Sequence, residues 1–367
     1  MRTRRIFALT ISMMMVISFL VMPISFAEVV TGDTYYVAVD GSDSNDGSSE
    51  NPWRTILHAS QQLTAGNTLI VRGGTYVDDS VRVIGAGTAE APITIKAGDD
   101  EIPVLTGTGK PEGIIHFNVN NKYIIIDGIN LKDTLYISPI RVYNAPVTVN
   151  DSSNIVFRNC TFTNNIGETG TFMTFTLASF LTVEYCSFNT TGGELKAPGS
   201  GSGDGIYVNS CTSTVIENNH FVKCGHYATD FKDNNDGGAT TSYNNVIRGN
   251  LIEQYWGGGI GLIFGAYNNL IENNIIYYAG AECEYPKTGI QLAADGNIIR
   301  NNIIGWTSDG SRGGYSATAM SMLSYPLREV YQNCNDNRIY NNVFYKSGGR
   351  PIFINQKNET TVDRNKV

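Results

Sequence analysis

The stretch NNLIENNII at residues 268–276 sets two short apolar runs, Leu270-Ile271 and Ile275-Ile276, among Asn and Glu, so that apolar and polar residues alternate over only a few positions. That is strand patterning over too few residues to be a helix. The same phrase recurs along the chain: NIVFRNCTF at 154–162, FLTVEYCSF at 180–188, STVIENNHF at 213–221, NNVIRGNLI at 244–252, GNIIRNNII at 296–304 and DNRIYNNVF at 336–344. Its central apolar residues are Phe157, Val183, Ile216, Ile247, Ile271, Ile299 and Ile339, spaced by 26, 33, 31, 24, 28 and 40 residues. YIIIDGINL at 123–131 adds Ile126 to the same column. Periods in this range mark stacked supersecondary units.

A second short strand recurs as GIYV at 205–208, GIGL at 259–262, GIQL at 289–292 and PIFI at 351–354. Each rung then holds two or three strands joined by turns, and rungs stacked about 4.8 Å apart bury a continuous Ile/Val core. The expected fold is all-β, a parallel β-helix. A column of Asn219, Asn250, Asn274, Asn302 and Asn342 falls at the turn after the first strand. Asn there can bond the amide above and below it, which makes the column structural. Insertions at 190–203, 234–243, 279–287 and 306–334 enter at the turns, where solenoids build binding faces.

Residues 1–27 carry Arg2, Arg4 and Arg5, an apolar run from Ile6 to Met22, and Ser25-Phe26-Ala27. They read as a secretory signal peptide, which leaves residues 28–367 as one β-helix domain, secreted or at the cell surface, with no membrane span after signal removal. Removing three Arg and no acid takes the formal charge from −8 to −11. So acidic a chain is a poor partner for nucleic acid, and an acidic polysaccharide would need a local cation. The oligomeric state is unassigned. The six Cys of an exported chain invite disulfides. Cys160 and Cys186 recur at one place in the repeat, which points to a buried thiol ladder, with a Cys211–Cys224 bridge as the alternative.

The segment 35–76, YYVAVDGSDSNDGSSENPWRTILHASQQLTAGNTLIVRGGTY, resembles the N-terminal entry module of secreted right-handed parallel β-helix proteins. The module is taken as about 33–76 and the rungs as about 90–367, with no matching C-terminal cap before Val367. A helix over about 52–63 would put Trp53, Ile56, Ala59 and Leu63 on one side and cover the first rung. Module and repeats together resemble carbohydrate-active β-helix proteins, especially the family-nine pectate lyases. The resemblance implies a right-handed solenoid that acts on a polysaccharide.

One rung differs from the rest. GHYATDFKDNNDGG, residues 225–238, gathers charge where its neighbours carry Gly, Ile and Leu. With Phe231 inward, Asp230 and Lys232 face outward beside Tyr207 and Asn209 of the preceding rung. β-Elimination on a uronate needs a base and a group that stabilises the carboxylate as charge develops. The expectation is Lys232 as base, with Asp204, Asp230, Asp233 and Asp236 competing to hold Ca²⁺, and Tyr207, Asn209, His226 and Tyr227 contacting substrate. Such an ion would lower the Lys232 pKa. The family's base follows an Asp-Gly strand, where DGIYVN carries Asn209, and its Asp-Asp-Gly is here NNDGG. Two other readings stand beside this one: a glycoside hydrolase using Asp204 and Asp230, and a non-catalytic extracellular scaffold. Tyr255, Trp256 and Tyr267 are further candidates for stacking on sugar rings.

Overall fold

The computed structural model describes residues 32–367 apart from 108–112, 119, 135–137, 144–152, 166–169, 192–202, 234–240, 255–256, 278–287, 306, 308–317, 328–329, 348 and 357–360. The leader read at 1–27 lies outside the described residues. Among the described residues no helix is long and apolar enough to cross a membrane.

Each full coil contributes three strands, one to each of three long parallel sheets. A representative coil runs Val215–Glu217, His220–Val222 and Tyr227–Lys232, and the next Val246–Arg248, Leu251–Glu253 and Gly258–Ile263. The described strands stack into sheets of 11, 10 and 10 members, with a two-stranded sheet of Ser242–Tyr243 and Ala266–Tyr267 beside them. Register follows the repeat: Ile216 pairs with Ile247, Ile247 with Ile271 and Ile271 with Ile299. These columns are sealed, with Ile126, Phe157, Val183, Ile216, Ile247, Ile271 and Ile299 at 0% exposure. Phe162, Phe188 and Phe221 stack in the second column with centroids 4.8 and 4.6 Å apart.

The Asn-Asn pairs explain how the narrow tube turns. The first member takes a left-handed backbone, at φ 56° for Asn218 and 57° for both Asn273 and Asn301. Asn tolerates that region, and Gly249 serves where Asn is absent. The second member points inward and joins a ladder: Asn250 Nδ2 donates to Ile216 O (2.9 Å) and to Asn274 Oδ1 (3.0 Å), and Asn274 Nδ2 to Ile247 O and Asn302 Oδ1 (both 3.0 Å). A parallel ladder, not anticipated from the repeat, runs through Asn245, Asn269, Asn297, Asn337 and Asn365 at the other end of the first-sheet strands.

The entry helix is shorter than the sequence suggested, Ile56–Gln62, because Thr55 caps it by accepting from His58 N. Its predicted face holds, with Trp53, Ile56, Ala59 and Leu63 all buried. Cys160, Cys186, Cys211, Cys224 and Cys334 are all buried free thiols, so the alternative Cys211–Cys224 bridge does not form.

Candidate active site

The charged rung lies in the third sheet. Ile206–Asn209 and Tyr227–Lys232 run parallel with Tyr207 beside Asp230, Val208 beside Phe231 and Asn209 beside Lys232. Ile206, Val208, Thr229 and Phe231 turn inward and are fully buried, so the alternating residues Tyr207, Asn209, Asp230 and Lys232 occupy the outer face. Asp204, just ahead of its strand, accepts from Tyr227 N (3.0 Å) and lies 3.1 Å from His226 Nδ1. Ligand atoms of Asp204, His226 and Asp230 all come within 4.8 Å of one another.

Asp230 is unusual for an outward residue because its side chain is 0% exposed. Oδ2 lies 2.7 Å from Lys232 Nζ and 3.8 Å from His226 Nδ1. The Lys232 approach is a close ion pair, not a well-directed hydrogen bond, and neither oxygen of Asp230 accepts a hydrogen bond of good geometry from the described residues. A buried carboxylate whose oxygens lack well-directed donors is costly, and the nearby ammonium offsets part of that cost. Lys232 Nζ also sits 4.6 Å from the centre of the Tyr207 ring, a cation–π arrangement.

Burial pulls both members of the pair toward neutrality, raising Asp230 and lowering Lys232. For Lys232 the attraction of Asp230, then of Tyr207 and Asp204, outweighs that loss and holds the ammonium above its ordinary range. Burial would likewise lower His226, but the charge and hydrogen bond of Asp204, joined by Asp230, raise it above 6.5. The Tyr207 phenol is pushed up, mainly by burial.

Two glycines widen the site across another rung. A Cβ on Gly258 would stand 2.0 Å from Tyr227 Cε1, so the Tyr227 ring lies where any side chain at 258 would begin. Its hydroxyl then reaches past the Gly258–Ile263 strand and donates to Gln291 Oε1. Gly261 separates Asp230 from Gln291 in the outward row, and a Cβ there would meet Asp230 Oδ1 at 3.0 Å. Gln291 was not read from the sequence. Its signal was the run GGGIGL at 257–262, where three glycines replace side chains on the strand beside the charged rung.

Of the residues expected at the site, Asp204, Tyr207, Asn209, His226, Tyr227, Asp230 and Lys232 fall on two adjacent strands and the turns that lead into them. Asp233 is buried past the end of its strand, with its N–H on Phe264 O (2.6 Å) and Gly265 alongside, and is not in the group of ligand atoms within 4.8 Å. His226 takes the third place in that group. Asp236 lies outside the described residues. Asp204 and Asp230, the two carboxylates of the paired-acid alternative, are thus brought together on adjacent rungs, with His226 bonded to Asp204 beside them.

A family model described as Pel9A-like, right handed beta helix region matches residues 35–297. The uncharacterized protein YwoF of Bacillus subtilis is 35% identical over 107 residues, covering 28% of this chain and 23% of its own length. Pectate lyase PEL9 of Emericella nidulans is 32% identical over 150 residues, covering 40% of this chain and 36% of its own. The aligned parts thus span well under half of either relative. Among solved structures, a rhamnogalacturonan lyase superposes with a TM-score of 0.59 at 17% identity, over 91% of this chain and 87% of that one. Pectate lyase Pel9A gives 0.56 at 17% identity, over 90% and 79%. The A-module of the mannuronan C-5 epimerase AlgE4 from Azotobacter vinelandii gives 0.59 at 12% identity, over 90% and 97%. At these identities the structural likeness is one of fold.

Proposed function

The chain belongs to the Pel9A-like right-handed β-helix family, and from that premise we propose that it degrades polysaccharide outside the cell by β-elimination from uronate residues, with Lys232 as the base. The observation that carries the reading is the buried Lys232–Asp230 pair, set beside Asp204 and His226 on the outer face of the third sheet. Asp204 and Asp230 are the residues that would hold Ca²⁺. The buried Asp230 Oδ1, which accepts no hydrogen bond of good geometry, and the Asp204 carboxylate are oxygen donors of the kind Ca²⁺ takes, whereas His226, bonded to Asp204, is a nitrogen donor and would stay outside the ligand set. When bound, Ca²⁺ supplies positive charge that offsets the uronate carboxylate and disfavours a protonated Lys232.

The chain's own groups do the remaining work. Neutral Lys232 Nζ takes the proton from the carbon next to the carboxylate, and the electron pair left behind forms the new C=C bond. The bond to the leaving glycosidic oxygen breaks, and that oxygen takes a proton from water. Tyr207, directly under Nζ, holds the amine in place, and Asn209 in register with Lys232 offers an amide to the sugar. Lys232, paired with Asp230, supplies a candidate base that paired-acid hydrolysis does not call for.

The test is absorbance of the unsaturated product on polygalacturonate, rhamnogalacturonan and alginate, with Ca²⁺ or with chelator. A chelator-sensitive signal lost in Lys232→Ala supports the reading. Activity that appears only as reducing ends without absorbance, or that survives Lys232→Ala, would overturn it.

A further inference from the structure

Past the end of the charged strand, the outer corner between the third and first sheets holds a cavity of about 450 Å³. Gly265, Tyr267, Asp295, Gly296, Asn333 and Asp336 line it. Tyr267 arrives there in a stack: Tyr243 and Tyr267 are neighbours in register, with ring centroids 5.3 Å apart and planes 9° from parallel. The next rung does not continue the stack. Asn268 N bonds Asp295 O (3.3 Å), which brings Asp295 into the column after Tyr267, flanked by Ala294 and Gly296. Small residues and a carboxylate therefore stand where a third ring would lie.

An aromatic face bordered by carboxylate and amide oxygens is the chemistry that receives a pyranose, whose C–H face stacks while its hydroxyls donate. The sign of the charge narrows the ligand. Asp295 and Asp336 both border the space; Arg364 holds both oxygens of Asp336 (2.7 and 2.6 Å) and offsets its charge, while among the described residues the Asp295 carboxylate accepts only the Asn335 N–H (2.6 Å) and keeps its charge toward the space. A uronate carboxylate placed here would meet like charge at short range, whereas a hydroxyl would find acceptors.

We propose that this cavity is a glycan subsite for a neutral pyranose, stacked on Tyr267 and hydrogen-bonded to Asp295 and Asp336. The ligand class rests on the polysaccharide reading above, but the site uses none of the residues assigned to elimination. Gly265 links the two places. It lines the cavity, and a Cβ on it would stand 3.1 Å from Asp233 Cβ, one residue beyond Lys232. A glycan that engages both sites carries neutral and uronate residues in one chain, which makes the substrate a heteropolysaccharide and not a homopolymer of uronate.

Saturation-transfer NMR at neutral pH tests this with methyl α-L-rhamnopyranoside, methyl β-D-galactopyranoside and methyl β-D-glucopyranoside, and with methyl α-D-galacturonopyranoside as the charged control. At least one neutral glycoside is expected to show ring C–H signals that fall about fivefold in Tyr267→Ala, the scale of one lost aromatic contact, and persist in Tyr267→Phe. Lys232→Ala leaves those signals in place, so failure of the elimination chemistry and failure of the subsite read out separately. Absence of any Tyr267-dependent neutral signal, or an equal Tyr267 dependence for the uronide, overturns the proposal. Should Tyr267→Ala lose its folded spectrum, Asp295→Asn decides. It is expected to weaken the neutral ligand and admit the uronide, and unchanged preference overturns the subsite.

Discussion

Replacing Asn274 by Ala cuts the inner ladder at a position where every bond can be named. Asn274 Oδ1 accepts from Asn250 N and Asn250 Nδ2 (both 3.0 Å), and its Nδ2 donates to Ile247 O and Asn302 Oδ1 (both 3.0 Å). After truncation Asn250 Nδ2 keeps Ile216 O, and Asn302 Oδ1 keeps Asn274 N. The Asn250 N–H keeps nothing and stays buried, since Asn250 is 1% exposed. An orphaned buried donor costs about 1–3 kcal/mol, and each bond lost with a surviving alternative about 0.5–1.5 kcal/mol or less. The expected loss is about 2–4 kcal/mol. Urea unfolding followed by far-UV circular dichroism reads it, with Ile275→Ala as the neighbouring control. Ile275 is 44% exposed, so its truncation should stay near 0.5 kcal/mol. If Asn274→Ala is no worse than Ile275→Ala, the ladder does not hold the turn and the structural account of these Asn columns is wrong.

Gly258→Ala places a methyl 2.0 Å from Tyr227 Cε1 and must displace that ring from Gln291. The expected cost is about 1–3 kcal/mol by overpacking, with a matching fall in the lyase activity proposed above, and full activity at unchanged thermal midpoint would refute the crossing role of Tyr227. Glu253 is held below its ordinary value of 4.5, first by the Tyr277 hydrogen bond and then, against a burial penalty, by His220. A depressed carboxylate contributes stability above its unfolded pKa and loses it as pH falls through the folded one. The melting temperature of the parent should therefore drop more steeply below pH 4.5 than that of Glu253→Gln, and parallel curves would remove the assignment.

The fold was legible because a solenoid writes its register into the sequence. Aligning the copies on Ile216, Ile247, Ile271 and Ile299 reproduces the pairing of the first sheet residue for residue. That alignment also found the ladder from Asn219 to Asn342, which follows the aligned position. It passed over the ladder from Asn245 to Asn365, although the doublets Asn244-Asn245 and Asn268-Asn269 spell it out. The two halves of a doublet do different work: Asn244 and Asn268 take left-handed backbones at φ 56° and 54°, and Asn245 and Asn269 carry the rungs. Composition counts these as one residue type, and only backbone geometry separates them.

The site was legible in position and less so in electrostatics. Strand alternation put Asp230 and Lys232 on the outer face beside Tyr207 and Asn209, where the structure has them. Of the four expected aspartates Asp236 lies outside the described residues, Asp204 and Asp230 come together with His226, and Asp233 leaves the group because Lys232 is the last residue of its strand and Asp233 follows the chain into the turn beside Gly265. A sequence also treats an outward residue as solvated, and Asp230 is not. Tyr227 folds across Gly258 and Gly261 to reach Gln291, 64 residues later, and in doing so walls off the carboxylate that Lys232 must neutralise. A separation of that size is invisible to local pattern, yet it sets the burial of the ion pair. With a solvated Asp230 the Lys232 pair would be worth little and the lysine would titrate near its free value. With Asp230 sealed, its attraction outweighs the burial of Lys232 and holds the ammonium above its ordinary range.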